Sequence, residues 1–176
     1  MPLGESLTLW TVRLAAVLYV VALSLYVARS TRSWDRFARL AWTAGFALYA
    51  VHVCMAFQFF YDWSHSRAYR ETARQTLELF GVNSGGGLYL NYLFTLIWFA
   101  DALWWWKGLA AYRERPLWIA AAIQLFLAFM FFNAAVVFGH GPVRLIGAFA
   151  TIALLALLWR KAAASSLTSW FGVSAC

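Results

Sequence analysis

Five apolar stretches of about twenty residues each, roughly 7–28, 38–61, 88–106, 117–138 and 143–159, constrain this chain more than anything else in it. A bilayer's hydrocarbon core is about 30 Å thick, and at about 1.5 Å per residue a helix needs roughly 20 apolar residues to cross it. Composition points the same way. Of 176 residues, 64% are hydrophobic and 12% charged, against about 45–50% and 25% in a typical soluble domain. A soluble protein must cover its surface with polar groups, whereas lipid-facing surface needs no such cover. The expected fold is an all-α integral membrane protein: a bundle of about five transmembrane helices within residues 1–161, then a short cytoplasmic or interfacial tail at 162–176.

The first stretch is expected to be a retained helix. Residues 1–6 contain Glu5 and no basic residue, whereas a signal peptide begins with a positive region and has a shorter apolar one. Orientation follows from the basic residues. Arg29, Arg32, Arg36 and Arg39 lie in or beside the first connection, Lys107, Arg113 and Arg115 in the third, and Arg160 and Lys161 at the start of the tail. Those are nine of the fourteen Lys and Arg. On the other side, Arg67, Arg70 and Arg74 are balanced by Asp62, Glu71 and Glu78. The positive-inside rule then puts the amino terminus outside and the carboxyl terminus in the cytoplasm, as for a bacterial inner-membrane protein.

Pro116 and Pro142 stand where helices four and five should begin, the position at which proline's missing N–H costs nothing. The tight turn Gly139-His140-Gly141-Pro142 makes these two helices antiparallel neighbours. Trp104, Trp105 and Trp106, followed by Lys107, read as an interface belt. Between helices two and three, residues 66–80 read as a short amphipathic helix on the outer face. Arg67 and Glu71, and Arg74 and Glu78, are opposite charges at i,i+4, and Tyr69, Thr72, Ala73, Thr76, Leu77 and Phe80 form the less polar side.

The net charge of +7 does not imply nucleic acid, because the basic residues cluster beside the apolar runs, where anionic lipid headgroups would meet them. Cys54 lies inside an apolar run and Cys176 is the last residue, without metal-type spacing.

Polar residues inside a membrane are costly, so each is a candidate site. Asp101 is expected either as a proton or ion ligand, on a stripe with Asn91, Thr95 and Trp98, or as a charge paired with Arg39 or another basic residue on its side; pairing is the commoner solution. His52 is a haem ligand or proton carrier, or else a histidine bonded to a neighbouring helix. A bis-histidine haem is disfavoured because His65 and His140 both lie near the outer rim, which leaves Met55, Met130 or a non-protein ligand as the second ligand. Gln124 and Asn133 complete the intramembrane set. At the outer mouth, Asp62, His65 and His140 are candidates for a transition-metal site, and Arg67 and Arg70 for an anionic ligand. Aromatic residues make up 19% of the chain and surround their helices on all sides, which suits packing rather than a pocket.

The sequence contains no nucleotide loop, HExxH, CxxC or Ser/His/Asp order. The expectation is a non-catalytic small subunit or scaffold that binds a lipophilic ligand, with the bilayer and other membrane subunits or copies of itself as partners. Two alternatives stand beside it: a haem- or metal-binding redox subunit, and a proton or ion pathway through His52, Asn91 and Asp101.

Overall fold

The computed structural model describes residues 3–28, 32–139 and 141–170. These form α1 (Leu3–Ala28), α2 (Arg32–Phe59), α3 (His65–Phe80), α4 (Gly87–Lys107), α5 (Leu109–Arg113), α6 (Leu117–Phe132), a π-helical turn (Asn133–Val137) and α7 (Pro142–Trp170). No strand occurs among the described residues. Three helical segments, Leu3–Tyr26, Asp35–Phe59 and Leu117–Val137, are long and apolar enough to cross a membrane, and Pro142–Ala156 is a shorter apolar stretch. With 21 residues α4 has the length, but Asn91, Asp101 and its many Trp and Tyr rings lower its mean hydropathy.

The long helices close into a ring. Each packs on two others: α1 on α2 and α7, α2 on α4, α4 on α6, and α6 on α7. Along α1 and α2 small residues recur at heptad spacing, with Ala15 and Ala22 facing Ala38 and Gly45. A Cβ at Gly45 would come within 3.2 Å of the Trp98 ring and 3.3 Å of Leu18 Cβ, so glycine lets three helices meet. Such small-residue seams bring membrane helices close without a hydrophobic driving force.

Interlocked rings fill the centre. Tyr19 of α1 stacks on Phe131 of α6 at 3.9 Å, and Trp42 of α2 meets Trp98 of α4 at 5.4 Å. Phe94, Tyr49 and Trp105 extend the same cluster. These tilted and edge-on contacts suit the ring quadrupoles. Outside, the ring is apolar all round: Val17, Leu96, Leu125, Phe129, Phe149 and Ile152 are each more than half exposed. A soluble protein would hide so continuous an apolar belt; lipid supports it.

Between α2 and α3 the chain reverses through Asp62 and Trp63, both in the left-handed region at φ 47° and 56°. Ser64 caps α3 by accepting from the Arg67 N–H, and Gly81 ends it at φ 70°. The helix then lies across one end of the bundle: Thr72 sits over Gly87 of α4, and Phe80 meets Phe138 beyond α6. Gly85 is required beneath it, because a Cβ there would fall 2.5 Å from the Tyr69 carbonyl oxygen.

Elsewhere the elements exceed their sequence-based bounds. The helix α2 begins at Arg32 rather than near 38, and α7 continues through Ala162–Ala164 to Trp170, past the expected boundary at 161. A short helix, α5, stands where only a connection was expected.

Candidate functional site

The α5 end of the bundle holds the one ion pair among the described residues in which both side chains are deeply buried. Gly108, at φ 153°, ends α4 and turns the chain back so that α5 folds under the bundle. Tyr112 then stacks on Trp105 at 4.5 Å with the rings 4° apart. The Arg115 guanidinium lies 3.9 Å from the centre of the Tyr112 ring and donates to the Asp101 carboxylate, which also accepts from the Tyr112 hydroxyl at 2.9 Å. The side chains of Asp101 and Arg115 are 0% and 3% exposed. Trp42 leans on the same carboxylate, its N–H short of hydrogen-bond geometry. Burial first, and then the Asp101 charge, raises the Tyr112 pKa, so its hydroxyl stays a donor. Beside this group Arg113 pairs with the buried Asp35. The partner of Asp101 is thus a basic residue of the third connection, not Arg39.

The Arg39 guanidinium carbon lies over the Trp106 ring, 4.2 Å from its centre, while Trp106 Nε1 donates to Thr43 Oγ1 at 2.9 Å. Trp105 is a core residue and Trp106 is half exposed, so the tryptophan run divides between bundle and rim.

At the opposite end Arg67 pairs with Asp62, and Arg74 pairs with Glu71 and Glu78. The Arg74 contact holds the Glu71 carboxyl below its ordinary range. Arg70 has no ion-pair partner among the described residues. His65 Nδ1 shares a hydrogen bond of 3.0 Å with the Tyr92 hydroxyl, and Tyr69, Tyr89 and Tyr92 surround its ring. Asp62 therefore turns to Arg67 while His65 turns to Tyr92, and His140 lies outside the described residues. No three His, Cys, Asp or Glu side chains converge among the described residues.

His52 is half-buried, and its Nδ1–H donates to the Thr8 carbonyl of α1 at 2.8 Å. In that tautomer Nε2 carries the lone pair. It lies about 10 Å from the α3 end of α2 by helical rise, about as far from that end as from mid-helix. The aromatic core separates it from Asp101. Asn91 is exposed near the start of α4, its carbonyl accepting from Thr95, so the expected stripe splits between surface and core. Asn133 donates to the Phe129 carbonyl of its own helix at 2.8 Å, where the π turn begins. Gln124 is half-buried with its Oε1 unpartnered. Met55 faces outward, whereas Met130 packs on the core.

A shallow groove of about 390 Å³ opens on the outer surface of α2, lined by Ala50, Val51, Cys54, Met55, Gln58, Phe59 and Trp63. Gln58 Oε1 accepts from Trp63 Nε1 at 2.9 Å within its lining.

Sequence reasoning missed the Tyr112–Arg115–Asp101 group, the Arg39–Trp106 stack and the groove. A signal for the first was present: only residues 108–116 join α4 to α6, so any basic residue there must return beside the end of α4. The groove had none, because its residues are ordinary lipid-facing types. The chain matches no family model, no curated protein and no solved structure.

Proposed function

We propose that this chain is a non-catalytic inner-membrane protein that crosses the bilayer five times, with α1, α2, α4, α6 and α7 as spans, the amino terminus outside and the carboxyl terminus in the cytoplasm. It acts as a small subunit or scaffold through its lateral surfaces and holds the chain of a membrane lipid in the groove on α2. The observation that carries this reading is the bundle's interior. Stacked rings fill it, and the buried pair of Asp101 and Arg115 is internally matched, which leaves recognition to the outward faces. The groove supports a lipid chain as occupant because it is apolar, opens into the lipid-facing belt and includes no charged residue. The orientation rests on the positive-inside rule: Arg36, Arg39, Lys107, Arg113 and Arg115 gather at the α5 end.

Cys54 lines the groove and is exposed, so it reports occupancy. In a Cys176→Ser background, an apolar maleimide should label Cys54 slowly in native membranes and faster after delipidation. Ala50→Phe should abolish lipid retention in native mass spectrometry. A monomeric preparation that carries neither lipid nor partner defeats the reading. Alkaline phosphatase fused after Val82 should be active, and fused after Arg113 inactive; the reverse pattern overturns the orientation.

A redox role is favoured by one observation, the His52 tautomer, since histidine ligands commonly donate their other ring N–H to a backbone carbonyl. An absorption spectrum with metal analysis decides it, and a colourless, metal-free preparation ends it.

A further inference from the structure

At the α5 end the acids and bases are unequally matched. Both buried carboxylates there, Asp35 and Asp101, are taken by arginines of the third connection, Arg113 and Arg115. Arg36, Arg39 and Lys107 have no carboxylate partner among the described residues. All three lie at the α5 ends of α2 and α4. Arg36, Arg39 and Thr43 recur at helical spacing along one face of α2. Thr43 ties that face to Trp106 of α4, and Lys107 follows Trp106 in the chain.

The cation–π contact of Arg39 with Trp106 holds the guanidinium against the ring, and a guanidinium so held still has N–H groups that can donate to an acceptor. Its Nε is buried without a hydrogen-bond partner. Around the patch, Phe37, Leu40, Leu103 and Trp106 are about half exposed or more, so the cations sit where the apolar belt ends and the headgroup layer would begin. A planar guanidinium with a second guanidinium and an ammonium nearby matches the tetrahedral oxygens of a phosphate. The surrounding apolar side chains match the acyl chains beneath it. Nucleic acid would not meet a cation set rimmed by exposed Leu and Phe.

We propose that the α2–α4 rim at the α5 end binds the phosphate headgroup of an anionic membrane lipid, with Arg39 as the fixed contact and Arg36 and Lys107 as adjustable ones. The site rests on the chain's insertion in a membrane. It is independent of the groove near Cys54, which lies toward the other end of α2.

The test uses the full chain reconstituted in nanodiscs of phosphatidylcholine with phosphatidylglycerol, read by native mass spectrometry of the lipids retained. Wild type should retain phosphatidylglycerol over phosphatidylcholine. Arg36→Gln combined with Lys107→Gln should reduce that preference roughly tenfold, and Arg39→Gln should reduce it at least as far. Arg36 and Lys107 are exposed and unpaired, so their exchange leaves folding intact and keeps the test decisive if Arg39→Gln fails to fold. Arg70→Gln, at the opposite end, should change nothing. Inorganic phosphate at millimolar concentration should not displace the lipid. Displacement by phosphate alone, equal retention of both lipids by wild type, or an unchanged preference in the Arg36/Lys107 variant overturns the site. Cys54 labelling in the same variants should match wild type, so loss of the headgroup site and loss of the groove are read separately.

Discussion

Replacing Arg115 by Met removes one member of a pair whose side chains are 3% and 0% exposed. The Asp101 carboxylate would keep the Tyr112 hydroxyl at 2.9 Å and lose its counter-charge. Breaking a buried pair on one side typically costs about 3–5 kcal/mol, because an uncompensated charge remains. At 1.4 kcal/mol per tenfold, that is roughly a hundred- to several-thousandfold in the unfolding equilibrium. Exchanging both members for apolar groups of similar shape tends to be neutral or stabilising. Asp101→Leu with Arg115→Met should therefore recover most of the loss and give a strongly non-additive double-mutant cycle. Unfolding in mixed micelles by titration with a denaturing detergent, followed by tryptophan fluorescence, measures it. The cluster Trp42, Trp98 and Trp105 beside Asp101 supplies the signal. A cost below about 1 kcal/mol for Arg115→Met, or additive effects, would show that water reaches the pair and would refute the buried-pair argument.

Three further outcomes follow from local geometry. Gly85→Ala should loosen α3 from the bundle at a cost of about 1–3 kcal/mol, since the new methyl would meet Tyr69 at 2.5 and 2.7 Å; faster proteolysis within residues 65–80 reads it. Gly139→Ala should disrupt the turn into α7, because a Cβ there would lie 1.9 Å from the Ala135 carbonyl oxygen in the π turn; lower thermal stability in detergent with loss of helix signal checks this. Lowering the pH should weaken α3. Arg74 depresses the Glu71 pKa from its ordinary value of 4.5, so its contribution is full above that value and fades as pH falls through the lower folded one. The pair is exposed, so the loss is small and local, seen as faster hydrogen exchange in α3 with other helices unchanged.

Asp101 shows how far the linear pattern reaches. Its position inside an apolar run made pairing with a basic residue the favoured expectation, but the partner had to be guessed. The choice of Arg115 over Arg39 depends on the backbone turn at Gly108, which swings α5 under the bundle. The outer set of Asp62, His65 and His140 was grouped only by shared depth along the chain. Actual side-chain directions, set by the left-handed turn at Asp62 and Trp63, send Asp62 to Arg67 and His65 to Tyr92.

Apolar length, proline placement and charge asymmetry are one-dimensional properties, and they were enough to give helices, most of their bounds and an amphipathic α3. They act within a turn or two of the chain, where helix geometry is nearly invariant. Which helices touch was not written there. The ring order, the meeting of Tyr19, Trp42, Trp98 and Phe131 at its centre, and the division of Trp105 to the core and Trp106 to the rim come from close packing among four helices. That packing depends on absent side chains, as at Gly45, as much as on present ones. The Asp101 group, the Arg39–Trp106 contact and the His65–Tyr92 pair each join residues of different elements, and only the tertiary structure brings those together.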